Sequence, residues 1–460
     1  MPAQAKDLFN DAIDNELLNE ASQLRELLSL ALSPSKLELL MRDNCVLCHT
    51  DPEAQDPETL FWTDPEAVGS PPHLNLREVV RDVHFRRGLS CSGCHGGTPT
   101  DEDMADEIYD RWPEAPERHA DRTWIPDFCA RCHSDPAFMR RFDPSLATDQ
   151  YAKYRESLHG KLLLEQADSK AAQCVSCHGV HGIRDSKSPR SPVHPRNVPY
   201  TCGACHADAD YMKGYKDAAG DPLPTNQLEE FETSVHGRAL LERGDTGAPA
   251  CNDCHGNHAA MPPEIASIGQ VCRTCHSGNG ELFEGSKHKK AFERNGWPEC
   301  EKCHGNHAIA RTDDSMLNEK SNPLCYECHR ENAEDNPDCI RTAEYFYASI
   351  STLATEQKSL AEQVHQLAEK GLDVEPLAAT VDDMEDTLRQ SRSLIHAFDR
   401  SEFEKIEKRG HEAARQGWEQ VEAAEGEYRF RLTGLRVAIG FMILLSVALY
   451  LKIREMEART

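Results

Sequence analysis

The chain is short of positive charge. Its 51 Lys and Arg face 78 Asp and Glu over 460 residues, a formal net charge of −27. A surface of that sign repels phosphate backbones, so nucleic acid is excluded as a partner. The acid excess either serves solubility or selects soluble partners with basic patches or small neutral contacts. Aromatic residues are also few, at 7% of the chain, too little to fill a large conventional core. The opening stretch MPAQAKDLFNDAIDNELLNEAS has neither a basic start nor an apolar run, so it does not read as a secretory signal. Spare cysteine is almost absent. Of 19 cysteines, 18 fall into one motif of fixed spacing. Cys339 alone is left over, and a buried, inert thiol is expected there.

That motif is Cys-x-x-Cys-His. Its cysteine pairs are Cys45 and Cys48, Cys91 and Cys94, Cys129 and Cys132, Cys174 and Cys177, Cys202 and Cys205, Cys251 and Cys254, Cys272 and Cys275, Cys300 and Cys303, and Cys325 and Cys328. The histidines that follow are His49, His95, His133, His178, His206, His255, His276, His304 and His329. Structural zinc also uses Cys-x-x-Cys knuckles, but it takes them in twos, and nine is odd. Zinc gives no reason for a histidine after every second cysteine when only 22 residues are histidine. A disulfide has no use for that histidine either. The pattern is the attachment signature of c-type haem: two thiols add to the vinyl groups, and the histidine becomes the first axial ligand. Nine covalently attached haems are therefore expected. The 285 residues from Cys45 to His329 leave about 32 for each, so haem must supply much of the buried apolar material.

Residues 150–335 repeat three times. Each repeat opens with a histidine in a Ser-x-His context: His159, His236 or His288. A motif reading CHGVH or CHGNH follows, with a second histidine three positions on (His181, His258, His307), and a plain motif closes the repeat. The segment His84–His133 has a leading histidine and two motifs and reads as a diverged fourth repeat. It carries CHGG at 94–97, so its second ligand is expected from elsewhere, with His119 a candidate. Nine haems then parse as one single plus four pairs. A haem that only carries electrons needs both axial positions filled. The candidate second ligands are His84, His159, His181, His236, His258, His288 and His307, with His73, His119 and His194 weighed against exposed histidines. A histidine three residues past its motif cannot reach the far face of its own haem, but it can reach a neighbour's.

The paired motifs with SxHG and CHGNH resemble the periplasmic multihaem cytochromes c of anaerobic respiration, over roughly residues 80–335. Those include quinol-linked electron-transfer cytochromes and octahaem enzymes converting nitrite and hydroxylamine. The resemblance implies closely packed haems with bis-histidine ligation. It also implies partners: a membrane quinol-oxidising or cytochrome b-type subunit, and periplasmic cytochromes. Enzymes of that group keep one iron open, sometimes marked by lysine in place of the motif histidine. Here all nine motifs end in histidine, which favours a relay over a catalyst. The alternative is an oxidoreductase of small nitrogen or sulfur compounds such as nitrite, hydroxylamine or tetrathionate.

The predicted fold is mainly α with extensive loops. Residues 1–44 read as a helical cap, with Leu17, Leu24, Leu27 and Leu28 at helical spacing. Residues 45–339 form the haem-organised domain, and from 340 on Cys, Pro and Gly nearly vanish. Two amphipathic helices broken at Gly371, and a third from about Ser401, predict an antiparallel hairpin and stalk over 340–431. On them His365, His396 and His411 read as exposed helix-face residues, with haem ligation or a quinol contact the sharper alternative. Residues 432–451, LTGLRVAIGFMILLSVALYL, match the ~20 needed to span a bilayer. Because haem attaches outside the cytoplasm, the expected location is the inner membrane, single-pass. The haem domain would face the periplasm or cell exterior and residues 452–460 the cytoplasm. Export then needs a misplaced start, a trimmed precursor or an unusual signal.

Overall fold

The computed structural model describes residues 76–79, 81–96, 122–217, 220–262, 268–318, 324–329 and 337–459. Among these the fold is mainly helical, with no strand and one isolated bridge, Lys216 to Pro222. The expected cap over 1–44, the first motif with Cys45, Cys48 and His49, and His73 and His119 lie outside the described residues. The chain divides into two compact units. One runs to Pro263 and takes in His307–Ile309; the other holds Glu264–Asn306 and the chain from Ala310 on.

In the first unit the described α-helices are three to nine residues long. The motifs take two forms. The first motif of a repeat is a single helical turn, as at Cys91–His95, Cys174–His178 and Cys251–His255. Each is ended by a glycine at positive φ: Gly96 at 83°, Gly179 at 76° and Gly256 at 80°. Only glycine takes that conformation without strain, and it turns the chain sharply away from the helix. Where the repeat carries one, the histidine three positions after the motif histidine is thereby thrown clear of its own motif. Closing motifs end longer helices, Ile125–His133 and Val198–His206, and are followed by Ser134 and Ala207 instead.

The Ser-x-His context is a helix cap. Ser157 and Ser234 are buried, and their hydroxyls accept the N–H of Gly160 and Gly237 at 2.9 Å. These bonds satisfy an orphan donor of the helix that carries the leading histidine. In the diverged repeat Asp82 takes the place of serine, accepting the His84 N–H at 2.7 Å.

The second unit contains three long helices: α1 (Pro337–Glu369), α2 (Glu375–Leu394) and α3 (Arg400–Glu457). Short turns reverse the chain twice, with Gly371 at φ 74° in the first. The stalk expected from Ser401 does not stand free. Phe346, Ile350 and Leu353 of α1 pack with Leu388 of α2 and Phe403 of α3; further along, Leu360, Val364 and Leu367 pack with Leu377, Met384, Ala414 and Val421. The result is a three-helix bundle. The hydroxyls of Tyr345 and Ser349 donate to the Glu407 carboxylate across α1 and α3. Arg392 grips Asp314 with two bonds of 2.8 Å, tying α2 to the chain that precedes the last motif.

Gly410 and Gly417 let α3 lie close to its neighbours. A Cβ on Gly417 would come within 2.4 Å of Leu360 Cδ2, and one on Gly410 within 2.8 Å of Leu353. Leucine in place of Gly417 therefore has to push the helices apart. Overpacking of this kind costs about 1–3 kcal/mol, and a thermal melt of Gly417→Leu followed by helical circular dichroism should show it as a lowered Tm. An unchanged Tm would mean that α3 packs loosely.

Phe430, Leu435, Phe441, Leu444, Leu445 and Leu451 are exposed, and among the described residues nothing covers the apolar stretch of α3. This helix is long and apolar enough to cross a membrane. The ammonium of Lys370, in the turn between α1 and α2, lies 5.8 Å above the Tyr428 ring, so that turn sits beside the start of the apolar stretch.

Candidate haem sites

The histidines come together two by two, one from a motif and one from outside it. His84 faces His133 with ring centroids 5.8 Å apart, His159 faces His206 at 6.0 Å, and His288 faces His329 at 5.9 Å. His95 faces His181 at 6.1 Å, His178 faces His258 at 6.1 Å, and His255 faces His307 at 5.9 Å. The separations fit the cofactor that the motifs specify. Two imidazoles on opposite faces of one iron, each with a metal–nitrogen bond of about 2.0 Å, hold their centroids about 6 Å apart. Among the described residues no three or more His, Cys, Asp or Glu side chains converge, as a zinc centre needs.

The pairs obey two rules. A leading histidine faces the closing motif of its own repeat, with ring planes at 82°, 56° and 85°. A histidine three residues past a motif faces the first motif of the repeat before it, with planes at 31°, 10° and 8°. Backbone bonds fix this backward reach. The N–H of Val83, just before His84, donates to the Ile183 carbonyl, two residues after His181, at 2.8 Å. Leu158 donates to Ala260 at 3.1 Å and Val235 to Ile309 at 2.8 Å, in the same register. His307–Ile309 belongs to the first unit for this reason.

The ring opposite His95 is His181, and CHGG leaves no gap there, because the histidine it lacks would have served the motif before it. His194 is half-buried, and its Nδ1 accepts the Arg196 N–H at 3.3 Å. His236 occupies the leading place in its repeat, behind the Ser234 cap.

The electrostatics suit imidazole as a ligand. Burial drives the pKa of His178 and His288 down to about 4, with neighbouring histidines adding to the effect. Burial also lowers His133, His159, His206, His258 and His304. Rings so held are neutral near pH 7 and keep a lone pair for a metal. The tautomer is set from behind at His84, whose Nδ1 lies 3.0 Å from the buried Asp82 carboxylate, leaving Nε2 to face His133.

Cysteines that stand here as thiols occupy the places of thioethers. Their neighbours Cys174, Cys251 and Cys272, together with burial, push the thiols of Cys129, Cys202 and Cys300 up. Each such pair joins the closing motif of one repeat to the first motif of the next. The second cysteines of the motifs differ in setting. Cys132, Cys177, Cys205 and Cys303 are half-buried, whereas Cys94, Cys254, Cys275 and Cys328 are exposed. A vinyl group can reach either kind, because none of these eight is fully enclosed by protein. Cys339 is half-buried in the first turn of α1 instead of being fully enclosed as expected.

His396, expected as an exposed helix-face residue with haem ligation the sharper alternative, stands beside a motif histidine. Its ring lies 6.2 Å from that of His304, with planes at 27°. His365 and His411 face carboxylates instead, Glu369 at 3.6 Å and Glu356 at 2.9 Å.

Comparison with known proteins gives one family, whose model, described as the doubled CXXCH motif, matches residues 288–334. No curated protein and no solved structure matches. The motifs mark the chain as a binder of covalent haem c with the character of an electron-transfer protein.

Proposed function

We propose that this is a membrane-anchored cytochrome that carries nine haems and relays electrons. The traffic runs between a quinol-linked membrane partner, such as a cytochrome b-type subunit, and periplasmic cytochromes. The observation that carries this reading is the set of motif and non-motif histidine pairs at 5.8–6.1 Å. Haem c supplies a one-electron iron couple. Closing both faces of an iron with neutral imidazole lets redox change proceed without a ligand moving, and leaves no face for substrate. The contacts between first cysteines of successive motifs bring attachment points together, which suits hopping from one group to the next. Apolar α3 residues from Leu432 onward hold the chain in the bilayer, with the haem-bearing part on the periplasmic or outer side. No side chain needs a catalytic role.

Haem quantification and electron paramagnetic resonance on the purified, oxidised protein test this. Nine haems per chain with low-spin signals alone are expected. A high-spin component near one haem equivalent overturns the pure relay and points to chemistry at an open iron, on nitrite, hydroxylamine or tetrathionate.

A further inference from the structure

The repeat led by His288 has no repeat after it. By the backward rule its first motif, with Cys300, Cys303 and His304, has no following CHGNH loop to supply a second histidine. We infer that the turn between α2 and α3 stands in for that loop, and that His396 is the second axial ligand of the iron attached at Cys300 and Cys303. This deepens the haem reading and rests on it.

Four observations agree. The centroid separation of His304 and His396, 6.2 Å, lies beside those of the other pairs. Their 27° plane angle belongs with the 31°, 10° and 8° of the backward pairs, not with the steep pairs made by leading histidines. The Nδ1 of His396 is 2.9 Å from the Ser393 carbonyl, the back-side bond that orients a metal-bound imidazole and leaves Nε2 as donor. The local sequence matches too. His181-Gly-Ile183, His258-Ala-Ala260 and His307-Ala-Ile309 are followed by His396-Ala-Phe398.

The last residue of each triplet makes the junction to the preceding leading histidine. In the repeats that junction is a backbone bond to the residue before it. In the bundle Phe398 makes it with its ring, 3.7 Å from the ring of His288. Phe398 holds φ at 51°, a left-handed conformation uncommon outside glycine, which places that ring and ends the turn. Asp399 then caps α3, accepting the N–H groups of Ser401 and Glu402 at 2.8 and 3.3 Å.

The test is His396→Ala in the full chain, with haem count and paramagnetic resonance read together. The haem count should stay unchanged. One haem equivalent should pass from low to high spin, at the expense of a near-parallel, rhombic low-spin component. Added imidazole should restore it. His411→Ala should leave every haem low-spin, since that ring faces Glu356. Should the alanine variant fold poorly, His396→Met keeps a ligand and should raise the potential of one haem, as methionine does opposite histidine. Unchanged spin states in His396→Ala, or an unchanged redox titration in His396→Met, overturns the assignment. Absence of covalent haem from the unmutated protein overturns the underlying haem reading instead.

Discussion

Replacing His258 by alanine should open the iron at Cys174 and Cys177, and leave the iron at Cys251 and Cys254 untouched. His258 follows the second of these motifs by three residues, too close to reach the far face of that motif's own haem, so it has to serve a neighbour. The structure turns its ring toward His178 at 6.1 Å, through the positive φ of Gly256. One haem should therefore become high-spin. Its identity can be read by adding the substitution to two backgrounds. With Cys174 and Cys177 both replaced by alanine, no high-spin signal should appear. With Cys251 and Cys254 replaced, the signal should persist. The reverse pattern would sink the backward rule, and with it the assignment of His396.

Removing residues 432–460 should release the protein from membranes with its haems in place. Eleven Leu, Ile, Phe and Val side chains between Leu432 and Leu451 contribute about 0.3–0.6 kcal/mol each at the bilayer centre, while Arg436 lies near an end where it can reach the surface. Phe441 and Met442 sit at mid-span. Arginine at both adds about 2.5–3.5 kcal/mol per site, and should weaken insertion almost as far. The measurement is the share of haem absorbance that stays with the membrane pellet after a high-salt and alkaline wash. A truncated chain that still pellets would mean attachment through some other part of the protein. Release is expected to spare the bundle, because its packing ends at Val421 and Ala424.

Much of this was legible in the residues. A fixed covalent motif announces its chemistry at every copy, and Ser157, Ser234 and Ser286 mark the leading histidines by the caps they make. The heptad spacing of Gly410, Gly417 and Ala424 also carries a signal. Small residues at one helical face announce close packing, so α3 could have been placed in a bundle instead of a stalk. Direction was not legible. A spacing of three residues says that His181 cannot serve its own haem, but the turn at Gly179 decides which neighbour it meets. His396 was legible only as an alternative, for another reason. It sits among helix-forming residues far from any cysteine, and only the triplet His-Ala-Phe, set beside His-Ala-Ile, betrays it.

The backward reach of these histidines also sets an order in time. A chain emerging N-terminus first offers each first motif its cysteines and proximal histidine at once, but the opposite ligand arrives only with the next repeat. Coordination at the first motifs thus trails attachment by one repeat, whereas each closing motif meets a leading histidine that precedes it. At the end of the line the trailing ligand is His396, which comes into place only when α2 and α3 have met. Maturation of the iron at Cys300 and Cys303 is thereby made conditional on a folded bundle, and a chain cut short before it would carry its haem yet leave that iron unfinished.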